Sequence, residues 1–220
     1  MKKLWFSLFI IPILLVAQHH GRYLPSKPLI VIDAGHGGRD IGAKVAYPFC
    51  EEKRLALSTA LLAKKYLDQL GYKVILTRSK DNYLPLSSRV ALANQSKCEL
   101  FVSIHFNSCK NTSAHGIEAY YVHKNPKHVR TIASYNLAKF LLQKVTHRTK
   151  ARSRGIKKGN FFVIRNTNMP AVLFEAGFIT NLAERKKLRQ QNYLEQLAKG
   201  IAEGVDDFVL SRAPFRKHKK

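Results

Sequence analysis

The stretch that decides the predicted fold is Leu29-Ile30-Val31-Ile32-Asp33-Ala34-Gly35-His36-Gly37-Gly38. Four consecutive aliphatic residues at its start, without polar alternation, are typical of a strand buried on both faces of a sheet. The glycines that follow suit a tight turn in which bulky side chains would crowd an ion or a substrate. This stretch therefore predicts a buried strand whose glycine-rich exit carries His36.

The rest of the chain alternates between strand and helix patterns. Apolar runs predict further strands at residues 72–77, 100–105, 116–122, 161–164 and 171–174. Helical spacing predicts helices at 52–70, 85–94, 129–145 and 193–210, and the glycine and cation content of 153–160 predicts a surface loop. This order of elements predicts an α/β fold, a single-domain three-layer sandwich with a mostly parallel central sheet flanked by helices.

Four chemically active residues are predicted to share one edge of that sheet. His36, His105 and Glu175 fall at or just past the ends of predicted strands, and Glu52 begins the helix after the first strand. Ligands in such folds bind at the carboxyl ends of the strands. Two histidines and a carboxylate can hold a zinc ion with one position open for water, and a further carboxylate can act as a base.

Two adjacent glutamates compete for the carboxylate position. On a helix, Glu52 shares a face with the apolar residues Ala56 and Ala63, which are expected to point at the sheet, whereas Glu51 aligns with a more polar set. We therefore predict Glu52 as the ligand. A position near a helix start favours Glu51 electrostatically whatever the function.

The amino-terminal residues 1–17 have the pattern of an export signal: a basic start, an apolar stretch at 4–16 and the small residue Ala17. The apolar stretch is shorter than the roughly 18 residues typical of a membrane-spanning helix, which favours a cleaved signal. An uncleaved anchor stays open as the alternative. We predict a linker at 18–27, one folded domain at 28–211 and a basic tail at 212–220.

Charge indicates the kind of partner. The chain has 38 basic and 14 acidic residues, a net charge of +24, which favours an anionic polymer. In an exported chain without a nucleic-acid motif, this indicates an anionic envelope surface, namely cell wall, acidic glycopolymer or lipid, and no nucleic acid. The alternative is a solvated, solubilising face. We predict a monomer.

Three cysteines, an odd number, leave at least one thiol unpaired in such a monomer. They are Cys50, Cys98 and Cys109, and none has the Cys-x-x-Cys spacing of a zinc or redox motif. We interpret them as buried or incidental thiols. A bridge between Cys98 and Cys109 stays open.

Five segments carry a family resemblance that spans residues 28–210. They are Val31-Ile32-Asp33-Ala34-Gly35-His36-Gly37-Gly38, Leu76-Thr77-Arg78 with Arg89-Val90-Ala91-Leu92-Ala93-Asn94, Phe101-Val102-Ser103-Ile104-His105, Gly116-Ile117-Glu118, and residues 169–181 from Met169-Pro170 to Thr180-Asn181. The chain resembles the zinc-dependent N-acetylmuramoyl-L-alanine amidases of bacterial cell walls (amidase type 3), a family that includes cell-division and sporulation enzymes. The resemblance implies that His36, Glu52 and His105 are the zinc ligands and Glu175 is the catalytic glutamate.

The resemblance also implies a substrate and a location. The substrate is peptidoglycan, cleaved between the lactyl group of N-acetylmuramic acid and the L-alanine of the stem peptide, in the periplasm or the extracellular cell wall. Asn107, Arg78 and Arg89 are candidate substrate-binding residues, and Asp33 is a candidate acceptor for a ligand histidine or a turn residue. The alternatives are a zinc peptidase acting within the stem peptide and a non-catalytic cell-wall-binding protein.

Overall fold

The computed structural model describes residues 27–123 and 129–212. The predicted signal at 1–17, nearly all of the linker and all but the first residue of the basic tail lie outside these residues. The predicted domain at 28–211 falls within them apart from 124–128. None of the described helices combines the length and the apolar character needed to cross a membrane.

Eight strands and six helices form in the described residues. The strands are β1 (Leu29–Ala34), β2 (Lys44–Val45), β3 (Cys50–Glu51), β4 (Lys73–Leu76), β5 (Leu100–Asn107), β6 (Ile117–Tyr121), β7 (Ser153–Lys158) and β8 (Ala171–Phe178). The helices are α1 (Glu52–Gln69), α2 (Leu86–Gln95), α3 (Val129–Thr149), α4 (Phe162–Asn166), α5 (Leu182–Leu188) and α6 (Gln191–Arg212).

Six of the strands make one sheet in the order β4-β1-β5-β8-β6-β7. All neighbours in it are parallel except β6 and β8, which run antiparallel. Strands β2 and β3 form a separate antiparallel pair. The central strands β1, β5 and β8 each begin with a largely apolar run, because strands in mid-sheet are covered on both faces.

Alternate residues of the central strands serve two separate apolar layers. Ile30 and Ile32 of β1 pack in the larger core with residues of α1, α3 and α6. Val31, between them, packs in a smaller core with Val90 of α2 and Val163 of α4. Because successive strand side chains point to opposite faces, helices cover both sides of the sheet. The predicted three-layer α/β fold is confirmed.

The helix layer over the larger core depends on two small residues of α6. A Cβ atom at Gly200 would lie 2.7 Å from the Cα atom of Val145, and one at Gly204 would lie 2.7 Å from the Cα atom of Leu141. Real Cβ atoms do not approach backbone atoms this closely. The backbones of α3 and α6 therefore touch at this crossing.

Two local predictions were wrong. Residues 153–160 do not form a simple loop, because β7 pairs in parallel with β6 at the sheet edge. Charged side chains are common on edge strands, so the polarity of this segment did not exclude a strand. Residues 161–164 are not a strand: α4 places Val163 and Ile164 in the smaller core. A short apolar run does not distinguish strand from helix by periodicity.

All three cysteines are free. Cys50 and Cys98 are buried and Cys109 is exposed. The Cys98–Cys109 bridge left open by the sequence is therefore not formed.

Candidate active site

The candidate site lies where β1, β5 and β8 end on the same edge of the sheet. His36 lies two residues beyond β1, His105 lies near the end of β5, and Glu175 lies in β8 directly beside His105 in the register. Glu52 is the first residue of α1 and is buried. The structure thus brings together all four residues that the sequence singled out for metal and acid–base chemistry.

Three donor atoms converge on one point. Glu52 Oε1 lies 2.9 Å from His36 Nε2 and 2.9 Å from His105 Nδ1. The same oxygen accepts the backbone N–H of Phe106 at 3.2 Å, while Oε2 accepts the N–H of Ala43 at 2.9 Å. These backbone donors hold the carboxylate between the two imidazole rings, which meet edge to face with centroids 4.8 Å apart.

The donor set fits a divalent metal ion. Asp40, four residues beyond His36, places Oδ1 2.8 Å from His36 Nδ1. When Nδ1 donates its proton to Asp40, the Nε2 lone pair faces the Glu52 oxygen, an arrangement that requires a cation or a further proton between them. Two imidazole nitrogens and one carboxylate oxygen are the donors of open, catalytic zinc sites. The structure contains a His36–Glu52–His105 group of this kind.

Charges in this group depend on one another. Burial opposes ionisation of Glu52, but hydrogen bonds from His105 and His36 hold the pKa of its carboxyl well below the usual range. Burial also lowers the pKa of the His36 imidazole, yet the hydrogen bond and charge of Glu52 outweigh it and raise that pKa overall. The carboxylate is therefore ionised at neutral pH and attracts positive charge to this point.

Glutamate 51 lies outside the group. Its carboxylate pairs with Arg54 at 3.1 Å, and its backbone belongs to the short strand β3. The structure thus places Glu52, and not Glu51, between the histidines, as the helical-face reasoning predicted.

Glu175 has a different environment from Glu52. Burial raises the pKa of its carboxyl to about 7, and the nearby charges of Glu52 and Glu118 add to this effect. Its Oε2 atom is buried and has no hydrogen-bond partner among the described residues. A carboxyl with a pKa near neutrality and a free oxygen can both accept and release a proton.

These groups lie in a cleft of about 350 Å³. His36, Glu52, His105 and Glu175 line it together with Asn107 and a set of apolar residues that includes Leu86, Phe161, Phe162 and Val163. Phe161 and Phe162 remain partly exposed at this surface. The one-turn helix α4, which the sequence predicted as a strand, thus supplies an apolar wall of the cleft.

Arg78 and Arg89 do not line the cleft. Both are buried: Arg78 donates to the carbonyls of Ala34, Gly35, Lys53 and Lys80, and Arg89 donates to those of Ala34, His36 and Leu84. Their donors are thus engaged in holding the turn that carries His36. These contacts favour a structural role for Arg78 and Arg89 over the predicted contact with substrate.

Asp33 supports the same turn through Arg89. Its Oδ1 atom accepts from Arg89 Nη1 at 2.8 Å and from Thr77 at 2.6 Å, and Oδ2 accepts from Ser103 at 2.6 Å. Burial opposes its charge, but Arg89 and these hydrogen bonds keep its pKa low. Asp33 reaches the backbone of His36 through Arg89 and does not bind its ring; Asp40 takes that role.

The glycines of the turn provide close approach. A Cβ atom at Gly35 would lie 2.4 Å from the His105 ring, and one at Gly42 would lie 2.6 Å from Glu52 Oε2. His36 itself has a φ of 61°, in the left-handed region that side chains rarely adopt. The glycine-rich sequence therefore leaves room for the side chains of His105 and Glu52.

Three features in or beside the cleft were not predicted as parts of the site: Asp40, Glu118 and the two aromatic residues Phe161 and Phe162. Glu118 carried a usable signal, because it is a charged residue inside the apolar strand β6, as Glu175 is inside β8. Asp40 had no such signal, because its contact with His36 lies within an irregular turn, and an irregular turn has no repeating sequence pattern.

Fold and site together define an α/β protein with a His-Glu-His group suited to hold a metal ion and an adjacent protonatable glutamate. Residues 30–207 match the family model described as N-acetylmuramoyl-L-alanine amidase, and the chain belongs to that family. The resemblance inferred from the sequence motifs is confirmed.

The chain is also similar to individual relatives over most of its length. The chain is 37% identical over 179 residues to the uncharacterised protein YqiI of Bacillus subtilis, covering 81% of this chain and 84% of that protein. It is 29% identical over 221 residues to the N-acetylmuramoyl-L-alanine amidase AmiC of Neisseria meningitidis, covering 83% of this chain and 53% of AmiC. The chain thus spans about half the length of AmiC.

A solved structure shows the same architecture. The N-acetylmuramoyl-L-alanine amidase from Clostridium difficile 630 superposes with a TM-score of 0.79 at 38% identity, covering 85% of this chain and 99% of that one.

Proposed function

We propose that this protein is an exported, zinc-dependent peptidoglycan hydrolase, an N-acetylmuramoyl-L-alanine amidase. It cleaves the amide between the lactyl group of N-acetylmuramic acid and the first L-alanine of the stem peptide. The observation that carries the proposal is the buried, unpartnered Glu175 oxygen among the described residues, in one cleft with the His36, Glu52 and His105 donors. Membership of the amidase family supports the choice of substrate.

The metal would be held by His36 Nε2, His105 Nδ1 and Glu52 Oε1, with Asp40 fixing the His36 tautomer. When bound, zinc supplies a Lewis acid that polarises the amide carbonyl and acidifies water. The backbone N–H groups of Ala43 and Phe106 hold the Glu52 carboxylate in place.

Glu175 performs the proton transfers. Its carboxylate accepts a proton from the attacking water as the new C–O bond forms at the lactyl carbonyl, and returns that proton to the alanine nitrogen as the C–N bond breaks. A pKa of about 7 makes both protonation states accessible near neutral pH. The products are a glycan that carries a lactyl carboxylate and a stem peptide with a free L-alanine amine.

Apolar and polar residues of the cleft wall make different contacts with the substrate. The apolar surfaces of Leu86, Phe161 and Phe162 offer contact area for the substrate and exclude water from the reacting bond. Asn107 lies on the wall beside His105, where its side chain is positioned to contact a substrate amide.

Export to the periplasm or the extracellular wall is proposed from the amino-terminal pattern at residues 1–17. The net charge of +24 favours attraction to anionic wall polymers or lipid surfaces. Amino-terminal sequencing of the secreted protein tests both the export and the cleavage after residue 17.

Mass spectrometry of fragments released from purified peptidoglycan tests the reaction. The zinc-loaded protein should release intact stem peptides that begin with a free L-alanine amine, and both a chelated sample and the Glu175→Gln variant should release none. Retention of zinc by that variant, measured by elemental analysis, separates loss of the base from loss of the metal.

The same spectra decide between the alternatives. Shortened stem peptides that remain attached to muramic acid would replace the amidase by a peptidase. Wall binding without any release would replace it by a non-catalytic wall-binding protein.

A further inference from the structure

A buried carboxylate beside Glu175 gathers two cations that the proposed reaction does not use. Glu118 of β6 is 2% exposed and lies directly opposite Glu175 in the antiparallel β6–β8 pairing. Its Oε1 atom pairs with Lys157 Nζ at 2.7 Å and with Arg154 Nε. Its Oε2 atom accepts from the hydroxyl of Tyr120 at 2.6 Å and from Asn107 Nδ2 at 3.3 Å.

The charges in this cluster do not balance. One carboxylate faces two side chains that carry a full positive charge, and no ion pair links either cation to another acid among the described residues. The side chains of Arg154 and Lys157 are 28% and 38% exposed, whereas that of Glu118 is 2% exposed. One net positive charge is therefore presented to solvent by a cluster whose negative member is buried.

The cluster is continuous with the cleft. Asn107, which contacts Glu118, lines the cleft. Tyr120 packs edge to face against the cleft residue Phe161, with ring centroids 5.2 Å apart. Lys157 in turn lies over the Tyr120 ring, 5.8 Å from its centroid. A substrate chain that extends from the reacting bond along this wall reaches Arg154 and Lys157 next.

The distance across the sheet from Glu175 to the two cations indicates which substrate group they would bind. Strands β8, β6 and β7 are neighbours, so the cations on β7 lie two strand spacings from Glu175, roughly 10 Å. An extended peptide covers about 3.3 Å per residue, so the Cα atom of the second stem-peptide residue lies about 7 Å from the reacting bond. A carboxylate on that Cα atom reaches roughly 2.5 Å further, which is close to this span.

We propose that Arg154 and Lys157 form a subsite for the free α-carboxylate of the second stem-peptide residue, with Glu118 as the residue that positions both cations. This inference rests on the proposed amidase function. Such a subsite makes the protein selective for stem peptides whose second residue carries a carboxylate, over stem peptides in which that group is a carboxamide.

Two soluble muramyl tripeptides that differ only in this carboxylate or carboxamide test the subsite with the zinc-loaded full chain. A charge-assisted hydrogen bond at a partly exposed site predicts a kcat/KM about tenfold higher for the carboxylate substrate. In Lys157→Gln and in Arg154→Gln, each of which leaves Glu118 one cation, the preference should fall to about threefold or less through KM. Lys157→Arg should keep it.

A matched control removes a cation elsewhere. Lys144 of α3 pairs with Asp207 on the helical layer, and Lys144→Gln should leave the tenfold preference unchanged. Equal turnover of both tripeptides by the unmodified protein would overturn the subsite while leaving the amidase proposal intact. So would an equal loss on both substrates in the β7 variants, which would show that the cations only neutralise Glu118.

Failure of the amidase proposal has a different signature, namely no turnover of either tripeptide. Calorimetric binding of the two tripeptides to the zinc-loaded Glu175→Gln variant then still tests the subsite. Tighter binding of the carboxylate form, lost in the added Lys157→Gln change, supports it, and equal binding contradicts it.

Discussion

Replacing Glu175 with Gln should stabilise the metal-free protein while it abolishes hydrolysis. The folded environment raises the pKa of this carboxyl from 4.5 to about 7, chiefly by burial. Above pH 7 the ionised group therefore costs about 3 kcal/mol of folding free energy. Partial exposure reduces this figure, so we expect a gain of about 2 kcal/mol from the neutral amide at pH 8.

The pH dependence of the free energy of unfolding shows that the charge on Glu175 is destabilising. Because the folded pKa lies above the unfolded one, the penalty is absent below about pH 4, grows between pH 4.5 and 7, and is complete above pH 7. The variant should match the unmodified protein at pH 4 and exceed it at pH 8. For a domain of this size, about 2 kcal/mol corresponds to a rise in Tm of roughly 4 to 8 °C.

Urea unfolding of chelated protein at pH 4 and pH 8 measures the difference directly. Metal-free protein is needed because a nearby cation would favour the ionised carboxylate. The matched control is Glu118→Gln, which removes the carboxyl opposite Glu175. Burial raises the pKa of Glu118, but Lys157, Tyr120 and Arg154 outweigh this and lower it overall, so its contribution to stability is present above about pH 4.5.

That control variant should lose stability at pH 8, with the opposite sign to Glu175→Gln. A Glu175→Gln variant that is less stable than the unmodified protein at pH 8, or whose advantage is the same at both pH values, would refute the assignment of Glu175 as a destabilised, protonatable group.

Three further predictions concern the framework of the site. Arg89→Met should lower the free energy of unfolding by about 3 to 5 kcal/mol in urea, because it leaves the buried Asp33 carboxylate without its cation; a loss below 1 kcal/mol would contradict this reading. Asp40→Asn should weaken zinc binding about tenfold in a competitive chelator titration, since Asp40 orients His36 but is itself partly exposed; unchanged affinity would remove it from the metal centre. Gly200→Ala should lower Tm by several degrees in a calorimetric scan, because its Cβ atom would lie 2.7 Å from Val145 Cα, and an unchanged Tm would mean that α3 and α6 can separate at no cost.

The central part of the fold was readable from sequence because its strands are buried on both faces. The apolar run at 29–32 predicted β1, and the segments at 100–105 and 171–174 predicted β5 and β8. The short α4 and the charged edge strand β7 were mispredicted. Four to six residues at a sheet edge or in one helical turn do not contain enough periods to report their environment.

The candidate site was likewise predictable from the sequence only in part. His36, His105 and Glu175 could be placed together from sequence, because the carboxyl ends of parallel strands meet at one edge. The roles of Arg78 and Arg89 could not, since long polar side chains reach partners that lie far away in sequence. Arg89, for example, bonds Asp33, which lies 56 positions earlier.

The sequence by itself determined the parallel core and the strand ends that carry His36, His105 and Glu175. Only the tertiary structure decided that Asp40 bonds the ring of His36, that Arg89 bonds Asp33, and that Glu118 holds two cations beside Glu175. The physical reason is the distance along the chain over which each kind of information acts. Hydrophobic periodicity records the burial of a single element, whereas hydrogen-bond and charge partners exist only after elements distant in sequence have packed together.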